Sequence, residues 1–253
     1  MSDSKNYNTS FARGLDVIRA FDARNPRLTV AGVADRTGLD RAVARRLLLT
    51  LVEEGYARQD GKLFELSSKV LTLGYSYLSA MSLDQRLQPN LDALSKDLGQ
   101  AVSVSVLDGA ETIFIARSDQ AGQVMAYVVR TGLRLSAFTS ASGRVLLSGL
   151  APEEVARRLE QAQVVALTPY TKTDPEQILT EIARVRAAGH CVNEQELEEG
   201  LLSVSVPVRG VDGRIVAALN TNCNHARALS TGFVDTALPA LHRVAAEIAA
   251  LIP

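Results

Sequence analysis

The 253 residues are 47% hydrophobic and 22% charged, with a net charge of −1; this supports a sizeable core and excludes a strongly basic coat for nucleic acid. Of 27 Lys and Arg, 12 lie in residues 1–70 against 9 of the 28 Asp and Glu, leaving 15 against 19 in the rest; a mildly basic part suited to a polyanion precedes an acidic larger part. Two cysteines, no signal-peptide pattern and no long apolar run argue against a disulfide framework and a membrane span and point to the cytoplasm, and the lack of Trp leaves little for stacking single strands.

Residues 1–9 are polar and expected to fray. From Ser10, a good N-cap, FARGLDVIRAF sets Phe11, Leu15, Ile18 and Phe21 at helical spacing until Asn25-Pro26 breaks the run. LTVAGVADRTGL reads as a short helix capped by Thr29 and stopped by Gly38. A longer helix follows with Asp40 as N-cap, and ARQDGKLFEL gives two extended pieces around Asp60-Gly61, a hairpin signal. Three helices, a tight glycine turn between the last two, and a hairpin make a winged helix-turn-helix over residues 1–66. SSKVLTLGYSYLSAM then supplies an apolar-striped linker helix within 67–82.

Residues 83–253 change style. LDQRLQPNLDALSKDLG is an amphipathic helix ending at Gly99, AVSVSVLDGAETIFIAR alternates as two strands around Asp108-Gly109, and QVMAYVVR continues the sheet. SASGRVLLSG, PEEVARRLEQA and DPEQILTEIARVRAAG are helical, the last with Pro175 near its first turn. GLLSVSVPVRGVDGRIVAALNTN gives two strands joined at Val211-Asp212-Gly213, and VDTALPALHRVAAEIAALI a closing helix. The expected class is α+β, an antiparallel sheet flanked by helices.

On a helical wheel from Asp40, Val43, Ala44, Leu47, Leu48 and Leu51 share one side, while Arg41, Ala42, Arg45 and Arg46 take the other, all in the first two turns. A recognition helix needs this layout: its first turns enter the major groove and its later turns pack on the preceding helices. Arg forks onto guanine edges or bridges phosphates, and Ala42 allows close approach. Arg58 and Lys62 flank the turn of the hairpin, where they would brace it on the DNA backbone. A solvated charged face gives the same wheel, and Leu49 points outward without explanation.

FARGLDVIRAF, LTVAGVADRTGLDRAVARRLLLTLVEEGY and FELSSKVLTLG together resemble the DNA-binding half of the IclR family of bacterial transcription regulators. LQPNLDALSKDLGQAVSVSVLDG, SGRVLLSGL and GHCVNEQELEEGLLSVSVPVRGVDGRIVAALN resemble its effector domain, and LRLSAFTSASGRVLL, LTPYTKTDPEQILTEIARVRAAG and VAALNTNCNHAR are similar to regulators of protocatechuate, 4-hydroxybenzoate and β-ketoadipate catabolism. The resemblance implies a winged helix-turn-helix, a linker helix and a GAF-like effector domain, in dimers or dimers of dimers on a pseudo-palindromic double-stranded DNA operator. It also implies no cofactor and no enzymatic activity. By position it places the effector pocket on Phe138, Thr139, Ser140, Ser142, Gly143, Asn193, Ser203, Ser205, Asn220 and Asn222.

Those residues suit a small organic acid. A helix start at Ser140–Gly143 offers N–H groups, and Ser203 with Ser205, or Asn220 with Asn222, share one face of a strand. The solvated face of a sheet explains the same pattern. Where Asn193, Ser203 and Ser136 stand, some family members have an acidic residue, a cysteine and a proline, which argues against glyoxylate or pyruvate and leaves an aromatic acid open. A competing reading is an enzyme or small-molecule binding protein whose N-terminal helices only dimerise it.

Cys191, Cys223, His190 and His225 match no tetrahedral zinc spacing and read as structural, and TSASGR lacks the serine-hydrolase elbow. The acidic run Glu194–Glu199 reads as a solvated turn.

Overall fold

The computed structural model describes residues 7–22, 24–73, 83–119 and 131–252. Two units, Met1–Tyr77 and Leu78–Pro253, hold most of their contacts internally, with the boundary inside the 67–82 stretch. Ser68–Val70 is a 3-10 turn capped by the Ser67 hydroxyl, and residues 71–73 are helical. The rest of the expected linker helix, the QVMAYVVR strand and residues 1–6 lie outside the described residues.

In the first unit, α1 (Thr9–Arg19) is capped by Asn8, whose Oδ1 accepts from the Phe11 N–H at 3.0 Å, and not by Ser10. Phe11 is 68% exposed, so the buried seam of this helix is Val17 and Ala20. Thr29 caps α2 (Val30–Thr37) as expected, but only after a short strand β1 (Arg27–Thr29) that the helical reading of LTV missed. β2 (Ala57–Asp60) and β3 (Leu63–Leu66) form the hairpin, and β1 joins it in the order β1-β3-β2, with Leu28 opposite Phe64. Gly38 stops α2 at φ +67, a conformation L side chains rarely adopt. Asp40 then caps α3 (Arg41–Glu53) by accepting from the Ala42 N–H at 2.7 Å.

Ala44 and Leu48 of α3 are fully buried among Val17, Val33 and Phe64; full burial of one such leucine stabilises by about 1.5–3 kcal/mol. Leu49 now has an account. It is half-buried against the same core and shares a concavity with Val30, Gln59, Lys62 and Phe64. The wing covers what the isolated wheel left in water.

The second unit is an antiparallel six-stranded sheet in the order β6-β5-β4-β9-β8-β7. Its strands are β4 (Val102–Asp108), β5 (Glu111–Ser118), β6 (Arg134–Ser136), β7 (Cys191–Glu194), β8 (Leu201–Arg209) and β9 (Ile215–Asn224). The short edge strands β6 and β7 were not expected, because three or four residues carry too little alternation to register. α4 (Leu83–Leu98) and α9 (Phe233–Ile248) supply Leu87, Leu91, Leu94, Leu241 and Val244 to one sheet face, against Val104, Val204, Val206 and Leu219. A short helix α8 (His225–Thr231), also unexpected, precedes α9.

The opposite sheet face is polar. Cross-strand registers Asn193↔Ser203, Ser203↔Asn222, Ser205↔Asn220 and Ser103↔Asn220 put these side chains on one side. All are buried, none more than 7% exposed, which overturns the solvated-face reading. The cover is α5 (Ala141–Leu147), with α6 (Pro152–Glu160) and α7 (Pro175–Ala188) beside it. Gly143 lets α5 pack against the turn that leads into it: a Cβ there would overlap the Ala137 Cα, carbonyl carbon and oxygen. Gly143, expected in the pocket wall, is a packing glycine. Gly143→Ala should therefore cost about 3 kcal/mol or more, measured as a lowered urea midpoint for the full chain; unaltered stability would show that α5 is not held at this distance.

Candidate nucleic-acid interface and effector site

Three arginines of the first unit are held in ion pairs. Arg36 pairs with Asp22, Arg27 with Asp60 and Glu65, and Arg19 with Asp16. Arg41, Arg45 and Arg46 of α3, with Arg58 and Lys62 of the hairpin, are exposed, and their side chains form no hydrogen bond or ion pair among the described residues. Ala42 is exposed beside them. Arg45 and Lys62 line one concavity with Gln59 and Gly61, so the helix and the turn of the wing present a joint basic surface.

In the second unit a cavity of about 20 Å³ lies between the polar sheet face and the start of α5. Five of the ten expected residues line it: Ser140, Ser142, Ser203, Asn220 and Asn222. The other walls, Phe114, Leu135, Ala141, Leu197 and Leu201, are apolar. Sequence reasoning missed these because a leucine in a strand or turn carries no sign of which side it lines.

The remaining five expected residues serve the frame. Phe138 is in the core under α6 and α7. Asn193 donates to the Thr139 carbonyl at 3.0 Å, and the Ser205 hydroxyl donates to the Leu219 carbonyl at 3.2 Å. Thr139 and Gly143 are buried away from the cavity lining. Ser140 has a double role: its hydroxyl accepts from the Gly143 N–H at 3.2 Å and donates to the Ser136 carbonyl at 2.8 Å, so the helix cap uses it internally. Ser142 and Ser203, buried to 2% and 3% exposure, make no side-chain hydrogen bond among the described residues. The Asn220 amide nitrogen donates to the Asn222 Oδ1 at 3.0 Å; turned end for end, Asn220 meets the Val204 carbonyl and the Thr221 N–H, and its bond to Asn222 requires that amide to turn as well. Either way one polar atom of Asn222 keeps no partner.

Next to this floor is an ion pair that the sequence reading missed. Arg144, 1% exposed, donates through both terminal nitrogens to the Glu196 carboxylate at 2.6 and 2.8 Å, and through Nε to the Phe138 carbonyl at 2.9 Å. Glu196 also accepts from the Lys172 N–H at 2.9 Å and Nζ at 3.0 Å. The expected solvated acidic turn is thus corrected at its centre: Glu194 and Glu199 are exposed, but Glu196 is buried and paired. The signal was Arg144 itself, a lone cation within the apolar run of SGRVLL. Leu197, the residue after Glu196, is a wall of the cavity. Thr168 and Thr171 hydroxyls donate to the Gln195 and Glu196 carbonyls at 2.7 and 2.6 Å, so a second loop is pinned to the same turn.

Burial by itself would push the Glu196 carboxyl up and the Arg144 guanidinium down; their bidentate contact outweighs it, holding Glu196 below the ordinary carboxylate range and Arg144 above its own. Cys191, beneath α5, is pushed up to about 12 by burial and stays a neutral thiol, not a nucleophile. Arg144→Met should lose about 3–5 kcal/mol, because it strands a buried carboxylate, and Arg144→Met with Glu196→Leu should recover much of that. Because the folded Glu196 value lies below its unfolded 4.5, its contribution is complete above that pH and is lost as pH falls past it. Acid titration of the wild type against the double variant checks this; identical profiles would remove Glu196 as the cause.

An IclR helix-turn-helix domain model matches residues 10–61, and the bacterial transcriptional regulator IclR C-terminal model matches residues 75–250. The Pca regulon regulatory protein of Pseudomonas putida is 40% identical over 235 residues, 93% of this chain and 81% of that protein. The p-hydroxybenzoate hydroxylase transcriptional activator of Acinetobacter baylyi is 36% identical over 98% of this chain and 93% of its own length. A double mutant of the Acinetobacter PobR inducer-binding domain, solved with 3-hydroxybenzoic acid, is 32% identical over 67% of this chain and 99% of that one, with a TM-score of 0.62. The chain belongs to the IclR family of bacterial transcriptional regulators.

Proposed function

We propose that this regulator reads operator DNA with Arg41, Ala42, Arg45 and Arg46 of α3, braced by Arg58 and Lys62, and that it answers to a small aromatic acid held over the polar sheet face. The observation that carries the effector half is that face itself: buried, roofed by a helix, and with Ser142, Ser203 and Asn222 underbonded. These polar groups border the cavity, where a polar occupant would bond them. The hydroxybenzoate named for two relatives supports an aromatic acid as the occupant. At about 20 Å³ the cavity takes one water molecule, so a ring enters only as a wall moves. Leu197, on the turn between β7 and β8, lies outside helix and strand, as does Ser140, which is tied down as the cap of α5.

Two copies would present α3 to half-sites of a pseudo-palindrome about 34 Å apart, as a dimer or a dimer of dimers. The acid would shift the population between arrangements that do and do not match that spacing.

Two measurements test this. Arg45→Ala should weaken binding to the DNA upstream of the regulator's own gene about 10-fold or more and flatten its salt dependence by about one phosphate contact. Because Arg45 is exposed and unpaired, stability should hold within about 0.5 kcal/mol. Unchanged operator affinity sinks this placement of the reading helix. Separately, 4-hydroxybenzoate or protocatechuate at about 100 times its Kd should stabilise the protein by about 2.7 kcal/mol, with pyruvate and glyoxylate inert; a shift with the latter alone refutes the aromatic reading.

A further inference from the structure

Ser105 is the buried side chain that neither packing nor the binding residues named so far account for. It is 0% exposed, and its hydroxyl oxygen, unlike those of Ser142 and Ser203 on the cavity, is both closed off from solvent and without any hydrogen-bond partner among the described residues. Its place in the sheet is informative. β4 lies between β5 and β9, and Ser105 stands opposite Phe114 on one side and Ala218 on the other. The cavity touches Phe114 of β5 and Asn220 of β9, one on each side of the strand that carries Ser105. An occupant that fills the space from Asn220 to Phe114 therefore passes over β4.

We infer that Ser105 is a specificity-determining contact of this site, receiving a ring hydroxyl at the end of the ligand remote from its carboxylate. The inference rests on the aromatic-acid reading above. The carboxylate end belongs with Ser142 and Ser203, whose hydroxyls are free to donate, beside Asn222. Asn222 and Ser105 are one strand and four residues apart by register, about 14 Å between Cα atoms in a flat sheet. A benzene ring with para polar groups, roughly 6 Å between their oxygens, plus a hydrogen bond of about 2.8 Å at each end, spans about 12 Å. The remainder is within side-chain reach. An acid without the distal hydroxyl would leave Ser105 as unpaired as it is now.

Titration calorimetry of the wild type and Ser105→Ala with 4-hydroxybenzoate and with benzoate tests it. The variant should bind 4-hydroxybenzoate about 3- to 10-fold more weakly, the effect of one neutral hydrogen bond, and benzoate within 2-fold of the wild type. Without ligand, the melting temperature of Ser105→Ala should equal or exceed that of the wild type, since the hydroxyl removed has no partner. A merely structural serine gives the opposite sign. Equal losses for both acids, no loss for either, or a lowered melting temperature overturns the inference. Flat titrations of the wild type with both acids overturn the aromatic-acid reading and this inference with it, whereas wild-type binding without discrimination by the variant overturns the role of Ser105 alone.

Discussion

A guanidinium at 1% exposure decides how the second unit is built. Buried charge is tolerated only when it is paired and its remaining hydrogen-bonding capacity is filled. Arg144 meets that condition with Glu196 and the Phe138 carbonyl, and each partner is thereby fixed: the segment leading into α5, the turn after β7, and the Lys172 loop that shares Glu196. Hydrophobic packing alone would let α5 slide over a polar sheet face that offers it few apolar contacts. The ion pair ties α5 to the turn after β7, and the Gly143 approach ties it to the turn before it, so the cavity wall is held from both sides. Any ligand that shifts Leu197 pulls on Glu196 and, through Thr168 and Thr171, on a loop whose Val165, Leu167 and Tyr170 are exposed.

Much of this architecture is legible residue by residue. Thr29, Gly38, Asp40, Asp174 and Pro175 mark helix ends by their own stereochemistry, and the Ser203/Ser205 and Asn220/Asn222 alternation gives the side of the strand. What stays hidden depends on partners distant in sequence. Burial of the polar face requires a roof, which alternation within a strand cannot announce. Glu196 sits 52 residues from Arg144, in a run whose composition is that of a solvent-exposed turn. Leu49 shows the same limit on a smaller scale: a wheel assigns sides relative to one helix, and the wing brings a second covering surface. Asn8, β1, β6 and β7 are local features too short for a periodicity to resolve.

One residue type serves opposite purposes in the two units. Arg144 is buried, with each of its three nitrogens bonded; Arg41, Arg45 and Arg46 are solvated and without ionic partners. A free guanidinium on a helix face costs little in water and retains its full capacity for phosphate or guanine. The neighbouring Arg19, Arg27 and Arg36 are paired by Asp16, Asp60, Glu65 and Asp22, whereas α3 and the hairpin turn together carry five unpaired cations. Composition hides this, since net charge counts paired and unpaired arginines alike.

The electrostatics of the cavity follow from the same pairing. No charged side chain is among its lining residues, and the cation closest in sequence to Ser142 and Gly143 is neutralised by Glu196. An acid bound there is held by neutral donors, each weaker than a charge-assisted bond. Recognition then depends on how many donors the ligand satisfies at once and on whether its flat body fits between Phe114, Leu135, Leu197 and Leu201. A charged pocket would bind any small carboxylate through one strong contact. A neutral, half-apolar one would reject acids that lack the ring, because they would leave the apolar walls unfilled and the deeper polar atoms unpaired. Discrimination by shape and by satisfied polar groups, with charge kept out of the site, is what a sensor needs when many small carboxylates compete for it.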